Sequence, residues 1–179
     1  MMKGERGYVV VITGDGKGKT TTALGMALRS VGHGQKVIMM QFIKGPTNAG
    51  ELAAAHKLAP HFEIVPLGRG FIRHVDPKNP DKRHVEAAQE AWELSRQKIL
   101  SGDYFMVILD EINNAIAYGL LALSDVLETL KNRPPEVTVV LTGRGAHPDL
   151  IDMADLVTEQ KEIKHPFQKG LKARKGIEF

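Results

Sequence analysis

The chain has 179 residues, 42% of them hydrophobic and 25% charged, with a formal net charge of +3. This composition excludes a disordered or fibrous protein, and the length suits one α/β domain burying roughly two-thirds of its unfolded surface. Cysteine is absent, which excludes disulfides, thiolate metal ligands and cysteine nucleophiles.

The first residues, Met1 to Gly7, lead directly into a strand-like run, and no apolar stretch approaches the roughly 18 residues that span a bilayer. The expectation is a cytoplasmic protein with no membrane partner. In chain order, short and nearly continuous apolar runs at Tyr8–Thr13, Lys36–Phe42, Phe62–Pro66, Phe105–Asp110 and Val137–Thr142 read as buried strands, with a last one around Leu156–Gln160. Helical stretches at Lys19–Val31, Asp81–Leu100, Leu123–Asn132 and Pro148–Ala154 fall between them. Such alternation predicts an α/β fold: one domain over 1–179 with a mostly parallel sheet covered by helices on both faces. Lys44–Ala49 and Gly68–Pro80 are rich in Gly, Pro and Asn and read as functional loops.

Directly after the first strand stands Thr13-Gly14-Asp15-Gly16-Lys17-Gly18-Lys19-Thr20, and Thr21 continues into the first helix. Glycines let backbone N–H groups turn inward as an anion cradle, and the helix directs its positive end at the same point. Lys19 would place its ammonium on phosphate oxygens, and Thr20 its hydroxyl on Mg²⁺. The usual pattern opens with Gly where this chain has Thr13. The intact Gly-Lys-Thr ending, set between strand and helix, outweighs that departure.

A nucleotide site of this kind needs an acidic residue at the end of a buried strand. Asp110 ends the run Phe105–Asp110 and Glu111 follows it, and one of them should hold Mg²⁺ directly or through water. A phosphate loop fixes the triphosphate without saying which bond breaks.

Beyond the loop, a series of short motifs resembles the P-loop family of ATP:corrinoid adenosyltransferases. They are Gly14–Thr21, Val31-Gly32-His33-Gly34, Gln41-Phe42-Ile43-Lys44-Gly45, Gly50-Glu51, Leu109-Asp110-Glu111, Asn132-Arg133-Pro134, Thr142-Gly143-Arg144-Gly145, Lys164-His165-Pro166-Phe167 and the tail Lys175–Phe179. The resemblance implies a P-loop NTPase-like, RecA-like architecture and a homodimer. It implies ATP, Mg²⁺ and a corrinoid reduced to Co(I) as reactants, with triphosphate released and a flavodoxin-like or other flavoprotein reductant as electron source.

The leaving group in that reaction is the whole triphosphate, so positive charge has to be in place before the bond breaks. Lys17 adds a second ammonium within the loop, and Arg144 can reach in as a fork. The family match puts phosphate contacts on Gly14, Asp15, Gly16, Gly18 and their neighbours. It places Arg29 near them too, a residue equally readable as a solvated helix position. For the corrin the resemblance points to Gly70-Phe71-Ile72-Arg73, where an aromatic pair keeps axial ligands off cobalt. Phe71 matches the first aromatic, and Arg73 stands where the second is expected. Some family members carry an extra N-terminal helix over the corrin, so a chain beginning almost at the first strand predicts a more open site.

Two rivals differ in class. A generic ATPase or kinase would release ADP instead of triphosphate. A nucleic-acid module is suggested by the basic tail, Lys161, Lys164, Lys169, Lys172, Arg174 and Lys175. It lacks aromatic residues interleaved for base stacking, so no nucleic-acid partner is expected.

Overall fold

The computed structural model describes residues 6–43, 45, 49–70, 76–78 and 80–178. Strands β1 (Val9–Thr13), β2 (Val37–Gln41), β3 (Phe62–Pro66), β4 (Met106–Asp110), β5 (Thr138–Thr142) and β6 (Leu156–Glu159) form one sheet in the order β3-β2-β4-β5-β1-β6. Every neighbouring pair is parallel. Each strand expected from the sequence is present, with ends moved by a residue or so.

Helices α1 (Lys19–Gly32), α2 (Gly50–Lys57), α3 (Lys82–Ser101), α4 (Ile112–Ala117), α5 (Leu123–Asn132) and α6 (Pro148–Met153) cover both faces. Strand side chains alternate between faces, and the core divides accordingly. Val9, Val11, Ile38, Met40, Val107, Leu109, Val139 and Leu141 pack with Trp92 and Ile99 of α3, Val126 and Leu130 of α5, and Leu150 of α6. Val10, Ile12, Val37, Met39, Ile108 and Val140 face the other way, toward Ala23 and Ala27 of α1 and Ala55 of α2. The small alanines let α1 lie close against the sheet and hold its N-terminus at the end of β1.

Helices α2 and α4 were not foreseen. With 8 and 6 residues they are too short to show a helical period, and they lack a start signal such as the proline that opens the equally short α6. The long helix α3 begins with Asp81 as its cap, whose carboxylate accepts from the Arg83 N–H, and ends at Gly102 in the left-handed conformation, φ 71°.

The sheet order brings the carboxyl ends of β2, β4, β5 and β1 side by side. Gln41 pairs in register with Asp110, and Thr142 with Ile12. In an open parallel sheet this edge is where ligands bind.

Candidate functional site

The phosphate loop spans Thr13 to Thr20 between β1 and α1. Gly14 and Gly18 adopt φ of 94° and 115°, where a side chain would be strained. A Cβ on Gly16 would lie 2.7 Å from the Gln160 carbonyl oxygen, because the Gly16 N–H donates to that oxygen at 2.6 Å. Gln160, just past β6, also donates its N–H to Thr13 O at 2.8 Å and so braces the loop from outside. Thr13, where glycine is usual, has a purpose of its own. Its hydroxyl accepts from the Ala146 N–H at 3.2 Å and ties the loop to the segment after β5.

Lys19 folds over the loop, donating from Nζ to Gly16 O at 2.6 Å. Burial, and secondarily the Arg144 guanidinium, hold its pKa below the ordinary 10.5. Arg144 crosses the same loop, with Nε 3.8 Å from Asp15 Oδ1 and Nη2 3.5 Å from Asp15 O. Lys19 and Arg144 thus converge on the loop, a preorganised field for a polyphosphate.

Thr20 donates from Oγ1 to Asp110 Oδ1 at 2.8 Å. Asp110 is buried, and the same oxygen accepts from Thr142 Oγ1 at 2.8 Å, while Gln41 Nε2 donates to Oδ2 at 3.3 Å. With its hydrogen committed to Asp110, the Thr20 hydroxyl presents lone pairs to the cavity. Glu111 lines that cavity. It holds φ at 65°, the one positive value outside glycine among the described residues, with its N–H donating to Thr142 Oγ1 at 2.9 Å. Such a conformation costs of order 1–3 kcal/mol and is typical of functional sites.

Lys19, Thr20, Glu111 and Arg144 border a cavity of about 670 Å³, whose lining also includes the apolar Leu24 and Leu28 of α1, Ala54 of α2, and Leu58 and Phe62 beyond it, with the polar Glu51 and Tyr118 among them. The C-terminal residues Gly176, Ile177 and Glu178 close one side, with Glu178 Oε1 3.9 Å from Lys17 Nζ. A second cavity of about 350 Å³ lies across the loop, and both are bordered by Lys17, Lys19 and Arg144. A chamber lined by both cations and apolar side chains suits a ligand with a polyanionic part and an apolar part.

A family model described as ATP:corrinoid adenosyltransferase BtuR/CobO/CobP matches residues 5–179. The chain belongs to this family. A corrinoid adenosyltransferase of Pseudomonas aeruginosa is 41% identical over 175 residues, covering 98% of this chain and 85% of its own. One from Escherichia coli K12 is 41% identical over 176 residues, covering 98% and 87%. Another, from a Sinorhizobium species, is 43% identical over 180 residues, covering 98% and 81%.

ATP is the adenosyl donor and a corrinoid the acceptor of this adenosyltransferase family, and the residues expected to serve them are placed unevenly. Lys17, Gly18, Lys19, Thr20, Thr21, Glu111 and Arg144 share the larger cavity, and Asp15 and Gly16 border the smaller. Asp110 sits behind Thr20. Arg29 is exposed in the last turn of α1, about 15 Å along the helix from Lys19, and borders neither cavity. Phe71 and Arg73, expected at the corrin, lie outside the described residues, as does Lys44.

Two motif residues of unassigned role are structural. Arg133 donates to Leu130 O at 2.7 Å and Val137 O at 3.2 Å, fastening the turn before β5. His165 accepts from the Phe167 N–H at 3.2 Å and caps a 3-10 turn, Pro166–Lys169. Gln160, Gln41, Thr142 and Asn114 support the site without being foreseen, because each acts through a partner distant in sequence.

Proposed function

We propose that this chain transfers the 5′-deoxyadenosyl group of ATP to the Co(I) of a reduced corrinoid, releasing inorganic triphosphate. The observation that carries the reading is a single cavity bordered both by Lys17, Lys19 and Arg144 and by the apolar Leu24, Leu28, Leu58 and Phe62. An electron pair on cobalt attacks C5′. The C5′–O5′ bond breaks, and its electrons leave on the triphosphate, whose charge is met by these cations. No protein acid or base is needed, so the protein contributes positioning and leaving-group stabilisation.

The donor set fits Mg²⁺ arriving with the nucleotide. Among the described residues no cluster of three or more His, Cys, Asp or Glu could hold a cation alone. Mg²⁺ typically takes one or two protein oxygens and completes its shell with phosphates and water. Thr20 and Glu111 would supply those oxygens, and Asp110 would act behind Thr20. The ion would neutralise charge on the leaving triphosphate.

The family resemblance carries the finer parts of the reading: Phe71 and Arg73 at the corrin, a flavoprotein reductant, a cytoplasmic location and a homodimer. Leu156 and Val157, exposed on edge strand β6, supply apolar surface for a second copy. No helix among the described residues is long and apolar enough to cross a membrane. The deciding experiment incubates the protein with ATP, Mg²⁺ and chemically reduced cobalamin. A light-sensitive Co–C product with one triphosphate per turnover is expected, and steady ADP release without that product would overturn the reading.

A further inference from the structure

The Arg144 side chain is long and 61% exposed, so its aim depends on how its backbone is held. The holder is Asn114, in α4. Its Oδ1 accepts from the Arg144 N–H at 2.8 Å, and its Nδ2 donates to Tyr118 Oη at 3.2 Å. A backbone N–H can only donate, which fixes the orientation of the carboxamide. Next to it, Asn113 Nδ2 donates to Gly143 O at 3.3 Å. Gly143 has φ of 129°, and a Cβ there would collide with Asn114 Oδ1, so the two segments can approach only because this position is glycine.

Glu111 stands at the start of α4, and its N–H donates to Thr142 Oγ1 at 2.9 Å. The β4–α4 junction carrying Glu111 and the β5–α6 loop carrying Arg144 are therefore joined by successive bonds through Thr142, Asn113 and Asn114. We propose that Asn114 is a positioning residue: it orients Arg144 toward the polyphosphate and keeps that cation in fixed relation to Glu111. This inference rests on the reading of Arg144 as a triphosphate contact. Asn114 borders the cavity but is buried beneath the loop it holds, so its action runs through the Arg144 backbone.

The test measures inorganic triphosphate binding to the full chain with Mg²⁺, in which no adenosyl transfer occurs. In the parent protein, Arg144→Ala should weaken binding roughly tenfold or more, the effect of losing a charge-assisted contact. In an Asn114→Ala background the same change should cost less than about twofold, because the guanidinium is already misaimed. Asn114→Asp keeps an acceptor for the Arg144 N–H, and there the Arg144→Ala loss should return to its parental size. The repulsion of triphosphate by its added charge is common to both members of that comparison and cancels. A merely structural Asn114 would give the same Arg144→Ala factor in all three backgrounds, and that result overturns the proposal. So does an Arg144→Ala loss below twofold in the parent protein. Absence of adenosyl product with reduced cobalamin would instead count against the proposed reaction, and the two failures are read in separate assays.

Discussion

Thr20 and Asp110, 90 residues apart in sequence, share a hydrogen bond of 2.8 Å in which the threonine hydroxyl donates to the carboxylate. The bond joins the start of α1 to the end of β4. It also directs the threonine lone pairs into the cavity, so Asp110 controls what Thr20 can offer to a cation.

Asp110→Asn should therefore act through Thr20. An Asn side chain would satisfy Gln41 with its oxygen and turn its NH₂ group toward the two hydroxyls. Thr20 would then become an acceptor, with its hydrogen facing the metal. The Mg²⁺ concentration for half-maximal activity should rise roughly tenfold or more, with about 1–3 kcal/mol of stability lost. Metal titration and thermal melting read the two effects.

Glu111→Gln should raise the Mg²⁺ requirement too, with metal-free nucleotide binding largely intact. Glu111 borders the cavity beside the phosphate loop, within reach of a cation held by Thr20. An unchanged metal dependence would remove Glu111 from the metal site.

Lys19→Met should lower turnover by two decades or more, the scale of losing one preorganised charge, roughly 3 kcal/mol. Circular dichroism and the melting curve should match the parent protein. Normal turnover would show that the loop is not the phosphate site.

Triphosphate affinity should fall as pH rises through the alkaline range below 10.5. Burial and Arg144 hold Lys19 below its ordinary value of 10.5 in the free protein, and a bound polyanion raises it again. Binding then takes up a proton wherever free Lys19 is partly neutral, and the affinity it contributes is lost with increasing pH. Lys19→Met should flatten this part of a pH titration of binding.

Phe71→Ala should separate two assays. If Phe71 keeps axial ligands off cobalt, as proposed, its loss should slow the reaction severely with cob(II)alamin and a flavoprotein reductant. With cob(I)alamin made beforehand, most activity should remain, because Co(I) holds no strong axial ligand. Equal losses in both would identify an ordinary packing aromatic.

The sheet and its phosphate loop were legible in the sequence because each depends on local features. Buried parallel strands are continuous apolar runs, and an anion cradle is a run of glycines with a lysine and threonine at fixed spacing. Helices α2 and α4 were hidden because they are short and, unlike α6 with its opening proline, carry no start signal. Side-chain interplay within the site was hidden for a different reason. That Asp110 serves Thr20, that Thr13 ties the loop to Ala146, that Gln160 braces Gly16 and that Asn114 aims Arg144 are contacts between segments the sheet order brings together. Sequence spacing carries no record of such neighbours. Only the parallel order β2-β4-β5-β1, with its carboxyl ends aligned, decided which of the polar residues would meet and which, like Arg29, would be left at the far end of a helix.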